Sequence, residues 1–244
     1  DIQYVDDARK IIYESIIKYR RIKNLGVVAV FEKDRFDEFS NFARIGDGSL
    51  GGKGRSLAFI DNIVKTHIEL NNYDSFPVRI PRTVVLCTDI FDEFMEKNDL
   101  YPVALSDKSD EEILSHFLKA SLPERLTEDF MAFSEVIKAP MAVRSSSLLE
   151  DAHYQPFAGV YSTYMIPYIV DKYEMLEMLS NAIKGVYASV FYKDSKTYMA
   201  ATQNVIDQEK MAVVLQEVVG SYYGDHYYPT LSGVARSLNF YPIG

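Results

Sequence analysis

Four stretches of the sequence place glycines, cations, hydroxyls or carboxylates where they suit an anion or a sugar. The first is Gly46-Asp47-Gly48-Ser49-Leu50-Gly51-Gly52-Lys53-Gly54, directly ahead of an amphipathic pattern. Glycines let backbone approach an anion closely, N–H groups at a helix start are expected to point outward, and Lys53 adds a full positive charge. The combination suits phosphate. It is not a Walker A loop, because Lys53 is followed by Gly54 rather than Ser or Thr and the upstream glycine spacing differs. A glycine turn before a helix is also an ordinary structural feature, so this stretch decides nothing by itself.

The second stretch, Met141-Ala142-Val143-Arg144-Ser145-Ser146-Ser147-Leu148-Leu149-Glu150-Asp151, delivers an arginine from a short apolar strand into a run of hydroxyls. Arg144 has the fork geometry to hold phosphate oxygens in pairs, with hydroxyl donors beside it. The same residues suit a strand end with a salt bridge from Arg144 to Glu150 or Asp151, and their chemistry leaves both readings open. The third, Phe157-Ala158-Gly159-Val160-Tyr161-Ser162-Thr163-Tyr164, is a small-residue turn followed by a strand carrying outward hydroxyls at Ser162 and Thr163. It suits either a lid over a triphosphate or a plain hairpin corner. In the fourth, Ala212-Val213-Val214-Leu215-Gln216-Glu217-Val218-Val219, an apolar strand turns polar for two residues. Such an edge suits an adenine through its backbone and a ribose through a carboxylate, and equally a core strand with one exposed pair.

The elements that position these stretches follow from periodicity. Ala8, Ile12, Ile16 and Tyr19 recur at helical spacing behind Asp6 and Asp7, and Asn24-Leu25-Gly26 ends that helix. Val27 to Phe31 suits a strand, and residues 1–38 read as an arm ahead of a main domain at 39–244. Leu57, Ile60, Val64 and Ile68 mark one face of a helix ending near Asn71-Asn72. Pro77 and Pro81 lead to a strand at Thr83 to Cys87. Asp89 is expected to cap a helix with Phe91, Phe94 and Met95, and Ser109 with Glu112 has capping-box spacing ahead of Ile113, Phe117 and Leu118. Met141 to Arg144 and Val160 to Ile166 read as strands, with a polar loop between them from Ser145 to Pro156. A long helix is expected over about Tyr173 to Tyr192, then a buried strand over Met211 to Val219. Ser221 to Thr230, with its tyrosines and a Gly-Asp turn signal, reads as a loop or hairpin excursion. The mixture argues for an α/β to α+β class.

Composition excludes several functions. With 26 basic and 35 acidic residues the formal charge is −9, so the surface as a whole repels nucleic acid and anionic membranes, and a phosphate site must be local. The single cysteine, Cys87, rules out an internal disulfide and reads as a small buried hydrophobe behind Val84-Val85-Leu86. The histidines, His67, His116, His153 and His226, lack the paired helical spacing of a metal site. No apolar run has the length to span a bilayer, so the cytoplasm is expected. A start at Asp1 rather than Met is read as a processed or excised piece of a longer polypeptide.

Taken in order, these stretches resemble the nucleotide domain of the phosphoenolpyruvate synthase and pyruvate phosphate dikinase family. Its pattern has GGKG before a helix, VRSS followed by ED, FAG before a strand and a VVVQ-like strand. Here stand Gly51-Gly52-Lys53-Gly54, Val143-Arg144-Ser145-Ser146, Glu150-Asp151, Phe157-Ala158-Gly159 and Val213-Val214-Leu215-Gln216, with Gly185 to Phe191 resembling a family helix. The likeness runs from about Phe42 to Pro242, and several motifs in register are far more specific than one. The resemblance implies an ATP-grasp-like fold with mixed sheets and flanking helices, and a requirement for ATP and Mg²⁺. It implies that Lys53 and Arg144 contact the phosphates and carry the chemistry, that Gly159, Ser162 and Thr163 belong to the lid, and that Gln216, Glu217 and Val219 line adenine and ribose. It further implies an ATP-dependent phosphotransferase as the whole enzyme. That enzyme phosphorylates a histidine on a swivelling carrier domain, which then visits a phosphoenolpyruvate/pyruvate barrel domain of the same chain.

Two departures qualify these expectations. Ser221 to Thr230 separates the adenine strand from the stretch Ser232 to Ser237, where the family usually has a closely following strand. The family's acidic metal ligands lie beyond the position of Gly244, so this chain alone is expected not to turn over ATP. A related dikinase acting on a glucan or an antibiotic, or a nucleotide-sensing module without turnover, are the alternatives. A carrier segment and barrel further along the parent chain discriminate between them.

Overall fold

The computed structural model describes residues 9, 12, 15, 28–33, 36, 41–67, 78–147, 159–201 and 209–234. A six-stranded sheet runs β1 (Ala29–Val30), β2 (Phe42–Ile45), β3 (Thr83–Leu86), β6 (Ala212–Glu217), β4 (Met141–Ser146), β5 (Thr163–Ile166) in spatial order. The first three pair in parallel, and β6 and β4 enter antiparallel, as does β5 at the edge. A small second sheet, β7 (Ser221–Tyr223) with β8 (His226–Tyr228), is an antiparallel hairpin. The α/β class read from the sequence therefore takes the form of a mixed sheet with helices flanking it.

Strands β3 and β6 read as unbroken apolar runs because both of their faces are covered. Val84, Val85 and Leu86, and Ala212 to Leu215, are fully buried. On one face lies the main core, made with helices α2 (Thr88–Lys97), α4 (Asp110–Lys119), α5 (Leu126–Val136) and α6 (Lys172–Ser189). The short α3 (Tyr101–Ala104) and α7 (Lys193–Ala201) complete the set. Apolar residues at helical spacing face the sheet: Ile90, Phe91, Phe94 and Met95 on α2, and Met175, Leu179, Ile183 and Val186 on α6. Phe91 and Phe94 meet the ring of Tyr187 at 5.1 and 5.5 Å between centroids, in edge-on and tilted geometry respectively. Ser109 forms the expected reciprocal capping box with Glu112, and Asp171 accepts from the N–H groups of Tyr173 and Glu174 at the start of α6.

The other face is thinly covered. Among the described residues α1 (Gly51–Thr66) is the helix that packs there, and Leu50, Leu57 and Ala58, together with Val28, lie against Phe42, Ile80, Val85, Ala212 and Val214. The stripe Leu57, Ile60, Val64, Ile68 expected to mark one face of this helix is buried only in part: Leu57 packs on the sheet and Val64 is half-buried. Ile60 is 46% and Phe59 65% exposed, α1 ends at Thr66, and Ile68 lies outside the described residues. The fully buried positions of α1 are Gly51, Gly52 and Gly54, so its glycine-rich first turn docks closest to the sheet, with Leu57 and Ala58 packing behind it.

Other boundaries shift for local reasons. β4 runs on to Ser146, so Ser145 and Ser146, expected in a loop, are buried strand residues, and the adjoining Ser147 is buried with them. The long helix ends at Ser189 and restarts as α7. Of the N-terminal helix, the described positions Arg9, Ile12 and Ser15 are helical, with Ile12 exposed. The end of the segment expected to form an arm contributes strand β1, while Phe31 and Phe36 pack with Phe133 in the main core. Leu231 to Val234 form no strand, and Ala235 to Ser237 lie outside the described residues. No described helix is long and apolar enough to cross a membrane.

Cys87, between β3 and α2, is fully buried as expected. Burial, reinforced by the nearby Asp89 charge and opposed by Arg44, pushes its thiol up to about 11. At pH 8 the thiolate is then on the order of a thousandth of the population. The folded protein is expected to give no reaction with an aromatic disulfide reagent at pH 8, and one equivalent after denaturation. Rapid titration of the native protein would show Cys87 to be accessible and reactive.

Candidate functional site

The start of α1 is built by a distant strand. Gly54 N–H donates to Ser146 Oγ at 2.9 Å, the same hydroxyl donates to the Leu50 carbonyl at 2.8 Å, and Gly52 N–H donates to the Ser147 carbonyl at 2.9 Å. Gly51 N–H reaches Ser49 Oγ at 3.2 Å. Helix N-termini leave orphan donors, and here the end of β4 takes them up. Gly51 adopts φ +67°, and a Cβ at that position would overlap the Ser146 carbonyl, so only glycine fits.

The preceding loop is closed in the same manner. Asp89 accepts from the N–H groups of Asp47 at 3.0 Å and Gly48 at 2.9 Å, and Thr88 Oγ1 accepts from Ser49 N–H at 3.0 Å. Arg44 donates to the Gly46 carbonyl and to Asp47 Oδ1. Two expectations are corrected. Asp89 does not cap α2, whose N-cap is Cys87; it sits in the first turn with its carboxylate turned to the glycine loop. The N–H groups of Asp47, Gly48, Ser49, Gly51, Gly52 and Gly54 do not point outward to an anion but are bonded within the protein. What the loop offers a phosphate is the charge of Lys53, half-buried in the first turn of α1.

Sheet register places Arg144 on the same face as α1. Arg144 pairs with Val214, which packs under α1, and Ser146, two residues further on, bonds the helix start. Directly opposed residues of an antiparallel pair share a face, as do alternate residues of one strand. Thr163 opposite Arg144, and Ala142 with its partners Gln216 and Met165, therefore lie on that face too. Beyond α1 no element among the described residues covers this face: Thr163 is exposed and Met165 is 61% exposed. Arg144 is half-buried, and among the described residues no hydrogen bond or ion pair engages its guanidinium. Glu150 and Asp151, its alternative partners from the sequence, lie outside the described residues. A cation in that position costs desolvation that an arriving anion offsets.

The end of β6 opens a cavity of about 520 Å³. Glu217, Val218, Val219 and Gly220 form one side; Asn41, Ile80, Pro81 and the guanidinium-bearing Arg79 and Arg82 lie opposite, with Tyr227 from the hairpin. Glu217 N–H donates to Arg82 O and Val218 N–H to Pro140 O, both at 2.8–2.9 Å. Among the described residues no hydrogen bond engages the backbone of Val219, so one residue presents a donor and an acceptor together. Gln216 is not part of this lining; its amide donates to Thr83 Oγ1 at 3.1 Å.

The turn before β5 is partly committed. Ser162 N–H donates to Ser189 Oγ at 3.1 Å, tying it to the end of α6, while Gly159 is exposed with φ +79° and faces open space. Phe157 and Ala158 lie outside the described residues. The geometry thus brings Lys53, Arg144 and Thr163 to one face and Glu217 and Val219 into one cavity, and leaves Ser162 and Gln216 with internal partners. Sequence reasoning places Ser146 among the hydroxyls beside Arg144 and not at the helix start it holds, and it does not single out Asp89, Arg79, Arg82 or Tyr227 as site residues, because each acts across more than a single element. Among the described residues no three His, Cys, Asp or Glu side chains converge so as to hold a metal ion.

Comparison with known proteins adds two findings. The family described as pyruvate phosphate dikinase, AMP/ATP-binding domain, matches residues 47–242. An "Uncharacterized phosphotransferase YvkC" of Bacillus subtilis (strain 168) is 30% identical over 160 residues, covering 66% of this chain and 17% of that protein's length. This chain is therefore similar to a minor part of a much longer protein.

The hydroxyl of Ser146 is the most economical place to test the architecture. Ser146→Ala leaves Gly54 N–H and the Leu50 carbonyl without their buried partner, and is expected to cost about 1–3 kcal/mol in urea unfolding. Wild-type stability in that variant would show that the α1 start is held by other contacts.

Proposed function

The chain belongs to the family of pyruvate phosphate dikinase AMP/ATP-binding domains, and from that premise we propose that it is the ATP-holding part of a larger phosphotransferase that phosphorylates a carrier histidine, for interconversion of pyruvate and phosphoenolpyruvate. The observation that carries the reading is Arg144: a half-buried guanidinium without a partner among the described residues, on the sheet face beside the start of α1. A planar fork of N–H donors in that setting suits phosphate oxygens, and Lys53 adds a second positive charge.

The cavity at the end of β6 supports the other half of the nucleotide. Adenine presents an acceptor ring nitrogen beside an amino donor, which complements the N–H and carbonyl of Val219. The Glu217 carboxylate suits a ribose hydroxyl as donor. When bound, ATP supplies the phosphoryl group, and transfer of such a group is catalysed mainly by positioning and by charge stabilisation. Lys53 and Arg144 would serve that role as fixed cations. Gly159, in an exposed turn, suits the lid position. The carrier domain, the barrel domain and Mg²⁺ belong to this proposal as requirements of the whole enzyme.

Calorimetric titration of the parent protein with ATP is the direct test. Arg144→Ala and Lys53→Ala are each expected to weaken binding by about 1–3 kcal/mol, roughly ten- to a hundredfold in Kd. Unchanged affinity in both folded variants would overturn the phosphate assignment. Incubation of the parent with γ- and β-labelled ATP is expected to leave acid-labile, base-stable phosphate on a histidine; label recovered only as free phosphate would remove the carrier step.

A further inference from the structure

The hairpin that follows β6 does not stand away from the cavity but folds back on it. Gly220 joins the two, and a Cβ there would meet the backbone of Tyr228 at 2.8 Å and the ring of Tyr227 at 2.9 Å. The Tyr227 hydroxyl donates to the Val218 carbonyl at 3.1 Å, and Tyr222 braces the Tyr227 ring edge-on at 4.8 Å between centroids. Tyr227 is half-buried and lines the cavity, whereas Tyr222, Tyr223 and Tyr228 are exposed.

The Val218 carbonyl and the Val219 N–H belong to a single peptide unit, which is planar and rotates as one piece. A hydrogen bond to that oxygen therefore sets the direction of the Val219 N–H. We propose that the β7–β8 hairpin is a base-recognition clamp in which Tyr227 is the positioning residue: its hydroxyl fixes the Val218–Val219 peptide plane and its ring forms a wall of the base pocket. This inference rests on the reading that the cavity takes the nucleobase. A fixed donor at Val219, with the carbonyl of the same residue beside it, favours adenine, which offers an acceptor beside a donor, over guanine, whose corresponding edge carries them in the reverse order. The aromatic wall adds stacking that serves any base. The hydroxyl thus governs selectivity, and the ring governs affinity.

The test compares the full chain with Tyr227→Phe, Tyr227→Ala and, on the outer face of the hairpin, Tyr223→Ala, each titrated with ATP and with GTP and each checked for folding by thermal unfolding. Tyr227→Phe keeps the ring and loses the tether; ATP binding is expected to weaken about three- to tenfold while GTP binding changes little, so the preference narrows. Tyr227→Ala is expected to weaken both nucleotides, by roughly tenfold or more. Tyr223→Ala is expected to retain the wild-type affinity and preference. A wild-type chain that binds neither nucleotide overturns the reading of the cavity and this inference with it. Wild-type ATP binding, with Tyr227→Phe keeping both affinity and ATP-to-GTP ratio, overturns the inference alone, and that variant decides the question even where Tyr227→Ala does not fold.

Discussion

The contact between Ser146 and the first turn of α1 is the constraint on which the candidate site depends. One buried hydroxyl accepts from Gly54 and donates to the Leu50 carbonyl, so it joins the helix start to the end of β4 across 92 and 96 residues of chain. Nothing larger fits, since Gly51 lies against the Ser146 carbonyl with φ +67°. Because Arg144 is two residues from Ser146 on the same strand face, and Lys53 lies in the turn that Ser146 closes, this contact fixes both cations relative to one another. A glycine-rich helix start is thus a docking surface for a strand before it is anything else.

The asymmetry of the sheet follows from that docking. Helices α2, α4, α5 and α6 cover one face with aromatic and aliphatic side chains, which supplies the main core. On the opposite face α1 reaches Val85, Ala212 and Val214 and stops short of β5. An edge strand left open usually invites aggregation or a ligand. Here the strip carries Arg144, Thr163 and Met165, and a half-buried cation with no partner among the described residues carries a desolvation cost that the proposed phosphate ligand would offset. The larger core lies on one face, and the function is proposed for the other.

What can be read from the sequence is what is local. The capping box at Ser109 and Glu112, the hairpin at Gly224-Asp225 and the buried strand after Met211 each depend on residues within one element, and each is legible there. The face of α1 is not, because Leu57, Ile60, Val64 and Ile68 have helical spacing while full burial falls on the glycines ahead of them. Asp89 misleads for a related reason: an acid in the first turn of a helix matches a cap, but here its carboxylate meets N–H groups 41 and 42 residues earlier. The run of serines reads as a loop because hydroxyls are rarely buried, and these are buried only because distant donors meet them. The order of motifs does carry the family, since it records tertiary contacts that no single window contains.

The same distinction separates what a glycine-rich phosphate motif shows from what it hides. Had the loop N–H groups been directed outward, phosphate binding would rest on the backbone and tolerate loss of a side chain. With those donors bonded to Asp89, Thr88, Ser49, Ser146 and the Ser147 carbonyl, the proposed phosphate binding rests on side-chain charge, at Lys53 and Arg144. The proposed recognition of the base shifts the other way. There the side chain of Gln216 is engaged by Thr83, and the groups without a hydrogen bond among the described residues are those of the Val219 backbone. On that proposal the site would read phosphate by charge, which is long-ranged and tolerant of geometry, and the base by a donor whose peptide plane is tolerant of neither rotation nor shift. That difference is why the base end needs a brace against its peptide, and why the element that supplies it follows directly in the chain.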